Sequence, residues 1–381
     1  MAQVTSSNLN WSNRDTSQVH EDIKDMVTDV SRTEAPVSNV LGGTTASNVN
    51  HEWWTWALPE AGVRAYREGA DFMASSADAT ARVRIGNYLQ DHRETIAVSG
   101  RAESLNTGGR GTESAMRVKR GLQIQARNGE AALVGMTPGT TAEPAFVKDA
   151  TEGTTDVLTD GTKMGGFFSF ANNWVVGDTT GLRYRASGAT VAASTTGSGT
   201  IVAGEGFSIA SGATNGVANG NGYYQITAGN NQQLDRAHLE SVLEACYING
   251  NGNPTHLFVP GALKRRVSEV LSIDTTTGSG QSIRRLNSMD REINVAMDGV
   301  SFDFGFELMI VPNYIMDANG ASNAFLMLNA EEAMLAYAPG RKMDIIKLDP
   351  NGDNKRIVVT CDKTLEVSNP ATVCAGVGFT S

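Results

Sequence analysis

The stretch from His51 to Glu60 reads HEWWTWALPE and carries Trp53, Trp54 and Trp56, three of the five tryptophans in 381 residues. A packed indole buries roughly 150–250 Å², so it is costly to leave in water. The chain around these rings is rich in Asn, Ser, Thr and Asp and poor in large apolar residues. Such a segment cannot cover its own tryptophans. They must pack against a distant part of the chain or against another molecule. Ile23, Met26, Val27 and Val30 raise the same difficulty: their i, i+3, i+4, i+7 spacing predicts one short amphipathic helix. A short helix in a polar arm is marginal by itself and has to dock elsewhere. Pro36 and Gly42-Gly43 predict a break in the helix. Residues 1–60 therefore read as an extended arm.

Residues 61–110 open with a helical segment, AGVRAYREGADFM. Ala81, Val83 and Ile85 then alternate with Arg82 and Arg84, and Ile96 and Val98 resume that period of two after a polar turn. The pattern predicts a two-stranded excursion with a charged rim of Arg82, Arg84, Asp91, Arg93 and Glu94. After the flexible LNTGGRG, Thr112 is the expected N-cap of a long helix over 112–135. Its stripe of apolar or small residues runs Ala115, Val118, Leu122, Ala126, Gly129, Leu133. Gly121 and Gly129 each cost such a helix about 1 kcal/mol against alanine, which predicts close backbone approach along it.

From 137 to 232 the chain turns to Gly, Thr, Ser and Ala. Within it, 177–231 reads as a small β-insertion, because Tyr184, Ile201, Val202, Phe207, Ile209, Tyr223, Tyr224 and Ile226 give it something to bury. LDRAHLESVLEACYING predicts a helix with Leu239, Val242, Leu243 and Cys246 on one face, stopped at Asn249-Gly250. THLFVP is a short buried strand and LKRRVSEVLS a second helix, so this segment is an α/β layer. SFDFGFELMIVPN, AFLMLNA, AMLAYAP, KRIVVTCDKTLEVSNP and ATVCAGVGF make the last third β-rich.

Recognisable chemistry is scarce. His51-Glu52 begins a zinc-protease H-E-x-x-H, but the fifth position is Thr55. The glycine-rich runs complete neither a dinucleotide fingerprint nor a P-loop, and Asp349 to Asp353 reads as a turn rather than a calcium loop. His20, His51, His92, His238 and His256 lack ligand spacing. No catalytic, cofactor or metal residue is expected. The cations of VKRGLQIQAR and ALKRRVSEVL read as solvated helix faces paired with Glu113, Glu130 or Glu269. A net charge of −10 supplies no basic face for gripping nucleic acid. Cys246, Cys361 and Cys374 are far apart, which predicts buried reduced thiols. The N-terminus lacks signal-peptide character, which predicts a soluble protein made and kept in cytoplasm. Only 19% of residues are charged, as in a surface covered by something other than water.

Several stretches resemble, in order, the major capsid protein of tailed bacteriophages, and more closely the podovirus-type major head protein family. VTDVSRTEAPVSNVLGG followed by NHEWWTWAL resembles its arm, and IGNYLQDHRETIAVSGRAESL its outer hairpin. SAMRVKRGLQIQARNGEAALV resembles its spine helix, and NPTHLFVPGALKRRVSEV its axial strand and helix. DFGFELMIVPN and KTLEVSNPATVCAGVGF resemble its closing strands.

The resemblance implies an α+β fold: N-terminal arm (1–60), extended β-hairpin loop (61–110), peripheral domain with the spine helix (111–175), axial α/β domain carrying the Gly/Thr-rich β-insertion (176–325), and return strands of the peripheral domain (326–381). It implies a non-enzyme that assembles into pentamers and hexamers of an icosahedral head around double-stranded DNA, built in the host bacterial cytoplasm. Its implied partners are further copies of itself, with scaffold, portal and decoration proteins as candidates. Arm and loop would reach over neighbours, making Trp53, Trp54, Trp56, Arg82, Arg84, Arg93 and Glu94 the expected subunit contacts. A β-rich tail protein or adhesin would explain the insertion and low charge, but not the long helix or the α/β segment. An enzyme would require a pocket with clustered titratable groups.

Overall fold

The computed structural model describes residues 34–56, 65, 67–69, 82–104, 112–137, 141–144, 162–171, 173–176, 201–202, 225–227, 232–250, 253–272, 299–302 and 305–380. The helix expected around 23–30, Ala81 and most of 177–231 lie outside the described residues. The spine helix forms over Glu113–Val134, with Thr112 at its N-cap position. Helical period and absence of proline suffice to make it.

Its buried face follows the expected stripe at Gly129 and Leu133 and departs from it elsewhere. Gly121, Gln125 and Gly129, one turn apart, are buried. Val118 and Leu122, half-buried, pack onto Ile96, Val98, Ile357 and Val359 of the sheet beneath.

That sheet is built on one long strand, Asn354–Val367. One edge pairs antiparallel with Gln90–Ser99. The other pairs with Asp344–Leu348 over residues 356–360 and with Ala333–Tyr337 over 363–367. Gly42–Thr45 adds to Ala333–Tyr337 as a parallel outer strand. Residues 42–45 of the arm are therefore held within their own subunit. Pro36 opens the short helix Pro36–Val40 rather than breaking one, since proline at a first helical position loses no hydrogen bond.

A second, mixed sheet of six strands runs Gly299–Ser301, Glu307–Pro312, His256–Val259, Phe325–Leu328, Cys374–Val377, Asn173–Val176. Helices Arg236–Gly250 and Gly261–Ser272 pack on it with Leu239, Val242, Leu243, Cys246, Leu263 and Val267 buried, as their period predicts. The sheets cut across the expected boundaries. Phe325–Leu328, Cys374–Val377 and Asn173–Val176 complete this six-stranded sheet, and only strands within 333–367 return to the five-stranded one. Strand runs reveal that strands exist; which sheet receives them is decided by contacts hundreds of residues apart. The insertion's described strands, Ile201–Val202 and Gln225–Thr227, join Met136–Thr137 and Thr141–Pro144 in a separate four-stranded sheet. These five residues of 177–231 are the described ones, and none of them joins the six-stranded sheet.

The expected hairpin is corrected. Val83–Tyr88 and Gln90–Ser99 both form, but they do not pair with each other. Val83–Tyr88 pairs with Asn50–Thr55, the tryptophan strand, in a two-stranded ribbon that brackets residues 56–82. The alternation was read correctly. The partner was not, because a period of two says which face is apolar and nothing about which strand lies alongside.

The glycines of the spine helix do serve close approach. A Cβ on Gly129 would fall 2.0 Å from the ammonium nitrogen of Lys363, and one on Gly121 would fall 3.0 Å from Cδ1 of Ile96. Lys363 is itself buried, so its head has little room to retreat. Gly129→Ala should therefore destabilise the subunit by about 1–3 kcal/mol through overpacking. Gly121→Ala, which meets only the tip of one side chain while gaining about 1 kcal/mol of helix propensity, should stay within about 1 kcal/mol of the parent. Denaturant unfolding of the unassembled subunit measures both, and equal effects would refute the distinction.

Candidate assembly interface

The ribbon gives the three tryptophans different fates. Successive residues of Asn50–Thr55 point to opposite faces, so Trp53 turns inward while Trp54 turns out. Trp53 joins the core beside Phe170, and its Nε1–H donates to the carbonyl of Val367 at 2.8 Å. Asn87, on the partner strand, is fully buried and donates through Nδ2 to the carbonyls of Leu365 at 2.9 Å and Gly165 at 3.1 Å. These bonds pin the base of the ribbon to the long strand. His51 is accounted for by Glu366 at 2.9 Å. Trp53 thus finds its cover in its own subunit. Trp54 is 65% exposed and Trp56 57% exposed.

The expected charged rim splits between two places. Arg82 sits with its guanidinium 5.0 Å from the ring centre of Trp56, a cation–π stack. Arg84 stands opposite Trp54 in the ribbon register. Arg93 and Glu94 are on the other strand, in the five-stranded sheet. Arg93 pairs with Asp91 of its own strand, and half-buried Glu94 lies beside Gly121. The basic helix segments largely follow the plain reading. Arg117 pairs with Glu113 at 2.9 Å, and Arg266 with Asp235 at 2.8 Å and Glu269 at 3.3 Å.

Glu130 departs from that reading. Its buried carboxylate accepts from the amides of Val37 at 2.8 Å and Ser38 at 2.9 Å, from Oγ of Ser38 at 2.7 Å and from Nδ2 of Asn313 at 2.8 Å. One side chain so ties the arm, the spine helix and the axial domain together. A glutamate in a run of helical charges carries no mark of this role in the sequence. Strand Asp344–Leu348, exposed along its whole length, is likewise missed. Its apolar residues, with Met343, follow neither a period of two nor one of 3.6.

The chemistry available is that of packing. Among the described residues no group of three or more His, Cys, Asp or Glu could hold a metal ion. A shallow cavity of about 190 Å³ between spine helix and Tyr314–Ala318 is lined by Ile124, Arg127, Asn128, Ala131, Ile315, Ala318 and Asn319. It gathers no set of titratable groups. None of the three cysteines is in a disulfide, and all three are buried, as expected. Among the described residues, no helix is long and apolar enough to cross a membrane.

Comparison with known proteins places this architecture. The family described as SU10 major capsid protein matches residues 3–380. No curated protein matches in sequence. Among solved structures, the capsid of a native GTA particle aligns over 98% of this chain and 100% of its own, at 13% identity and a TM-score of 0.54. A structure from Mycobacterium phage Bobi aligns over 100% of both chains at 12% identity and a TM-score of 0.52. The capsid of Cyanophage P-SCSP1u covers 99% of both chains at 11% identity and a TM-score of 0.51. These likenesses bear out the expected capsid fold.

Two groups on the long strand and its neighbour oppose each other in pH. Burial, then a hydrogen bond and the negative charge of Asp91, raise Asp362 from 3.8 to about 6, against the favourable guanidinium of Arg341 at 2.7 Å. Between those values the folded chain holds a proton that the unfolded chain has lost, so stability falls as pH rises from about 4 to 6. Burial, then the charge of Lys363, lowers His92 from 6.5 to about 4. There the unfolded chain holds the extra proton, so stability falls as pH drops from 6.5 towards 4. Asp362→Asn should therefore unmask the histidine and steepen acid destabilisation of the unassembled subunit across that window. His92→Gln should reverse the slope. Parallel stability–pH curves for parent and both variants would contradict this assignment.

Proposed function

The chain belongs to the SU10 major capsid protein family, and on that premise we propose that it closes, as pentamers and hexamers, into an icosahedral phage head around double-stranded DNA. As a major capsid protein it forms the capsid shell, a lattice of its own copies. The supporting observation is the exposed face of Trp54, Trp56 and Arg82 on a ribbon whose base is locked by Trp53. A rigid base with bare indoles beyond it suits a contact made in trans, where Trp and Arg contribute disproportionately. The family match sets aside the adhesin reading.

The contact set narrows to Trp54, Trp56, Arg82 and Arg84, because Trp53 and Arg93 already have partners in their own subunit. The net charge of −10 suits a wall that must enclose DNA without gripping it. Three buried cysteines outside any disulfide suit assembly in a reducing host cytoplasm. Scaffold, portal and decoration proteins are the further candidate partners.

Trp54→Ala should leave the subunit folded and cost about 2 kcal/mol per contact, roughly thirtyfold in association. Shell yield by electron microscopy at fixed protein concentration measures it, and unchanged yield and shell stability would count against the interface.

Reversing Arg82 and Arg84 together to Glu should weaken assembly by about 0.5–1 kcal/mol at each charge, a small loss that repeats at every subunit. The effect should shrink as salt rises, since such pairs are screened over about 8 Å at physiological ionic strength. Normal shells at both low and high salt would show the charges to be merely solvated.

A further inference from the structure

Asn-Gly pairs recur along the chain, and three of them, Asn128-Gly129, Asn319-Gly320 and Asn351-Gly352, sit in very different surroundings. In such a pair the glycine nitrogen can close a succinimide ring on the side-chain amide carbon of the asparagine. Glycine has no Cβ to obstruct that approach. Asn128-Gly129 lies inside the spine helix, whose ladder of hydrogen bonds fixes its backbone. Asn319 is half-buried, and its Nδ2 donates to the carbonyl of Ile315 at 2.8 Å. Asn351-Gly352 is exposed, in the connection between Asp344–Leu348 and the long strand. Among the described residues, neither the side chain of Asn351 nor the N–H of Gly352 has a hydrogen-bond partner. Gly352 holds a φ of +85°, in the left-handed region, with open space where a Cβ would stand.

The backbone of Asn351 is clamped by the side chain of Asn354. Oδ1 of Asn354 accepts from the N–H of Asn351 at 3.1 Å, and its Nδ2 donates to the carbonyl of Asn351 at 2.8 Å. From the other side, the N–H of Gly100 donates to the carbonyl of Asp353 at 3.0 Å. The turn is thus held while the Asn351 side chain is left unpaired. The carbonyl that Asn354 holds belongs to the same peptide unit as the Gly352 N–H. When that N–H loses its proton, negative charge spreads onto the carbonyl oxygen, where a donor is already in place to stabilise it. We propose that Asn351 is a self-modifying site, at which the Gly352 nitrogen attacks the Asn351 side-chain amide and Asn354 promotes the attack. Hydroxide takes the Gly352 proton and the nitrogen–Cγ bond forms. The Cγ–Nδ2 bond then breaks, and ammonia leaves with a proton from water, which regenerates hydroxide. A further water opens the succinimide to aspartate or isoaspartate. The net change is the hydrolysis of one amide, with no oxidant or cofactor involved. It sets a new carboxylate between the exposed Asp349 and Asp353, making the chain one unit more negative than its −10.

The test incubates the folded, full-length chain and follows the three pairs by peptide mass spectrometry, with isoaspartate separated from aspartate by chromatography. Asn351 should convert at least about ten times faster than Asn128 and Asn319. The same chain unfolded in urea should convert all three at similar rates, because only the fold distinguishes them. Asn354→Asp keeps the acceptor for the Asn351 N–H and removes the donor to its carbonyl. It should slow conversion of Asn351 about tenfold while leaving Asn128 and Asn319 unchanged, a split that general loosening of the chain would not produce. Equal rates at the three pairs in the folded chain would overturn the proposal, and this comparison needs no variant to fold. An Asn351 rate untouched by Asn354→Asp in a folded chain would overturn it as well.

Discussion

Every backbone N–H and C=O of a buried strand must be answered, and for the long strand Asn354–Val367 that requirement organises the molecule. Its 14 residues are paired by one strand along one edge and by two along the other. Side chains add further donors to carbonyls of this strand and its neighbour. Gln125 of the spine helix donates to both Val359 and His92, at 2.6 Å and 2.7 Å. Asn87 and Trp53 of the ribbon reach Leu365 and Val367. Leaving such a buried acceptor unmet costs about 1–3 kcal/mol, so helix, sheet and ribbon are held in mutual register by one strand's polar groups. Glu130 does for the arm and the axial domain what this strand does for the rest.

The parts legible in the sequence were those that periodicity decides. The spine helix, the two axial helices and most of the C-terminal strands announce themselves by where apolar residues recur. Pairing was not legible. Val83, Ile85, Ile96 and Val98 share one alternation, yet two belong to the ribbon and two to the sheet beneath the spine helix. The tryptophans were marked as an expected interface by their polar surroundings, and two of the three stand exposed on the ribbon. Trp53 differs by a single position in a strand, which is enough to turn it into the core.

Other features left no local trace. Glu130 and Lys363 look like solvated charges until the fold brings hydrogen-bond donors to one and the bare backbone of Gly129 to the other. Burial lowers the pKa of Lys363, partly offset by Cys361 and Glu130. The charge that appears to belong to a helix face or a strand edge is thus spent inside the subunit. What remains outside is sparse, and an unpaired carboxylate or guanidinium on this surface carries correspondingly more weight in choosing a neighbour.

The position of the long strand along the chain sets an order of events. It pairs with a segment that lies up to 273 residues upstream (Lys363 against Gln90), and Cys374–Val377 occupies an interior place in the six-stranded sheet. Both sheets therefore wait for the carboxyl-terminal stretch to emerge, at a ribosomal pace of about 5–20 residues per second. Until then the ribbon lacks the carbonyl that anchors Trp53, and strand Asp344–Leu348 has no companion to hold it extended. A nascent chain thus cannot hold the ribbon in its final geometry until the long strand has been made, and copies growing side by side on one polysome stay without that anchor until each is whole.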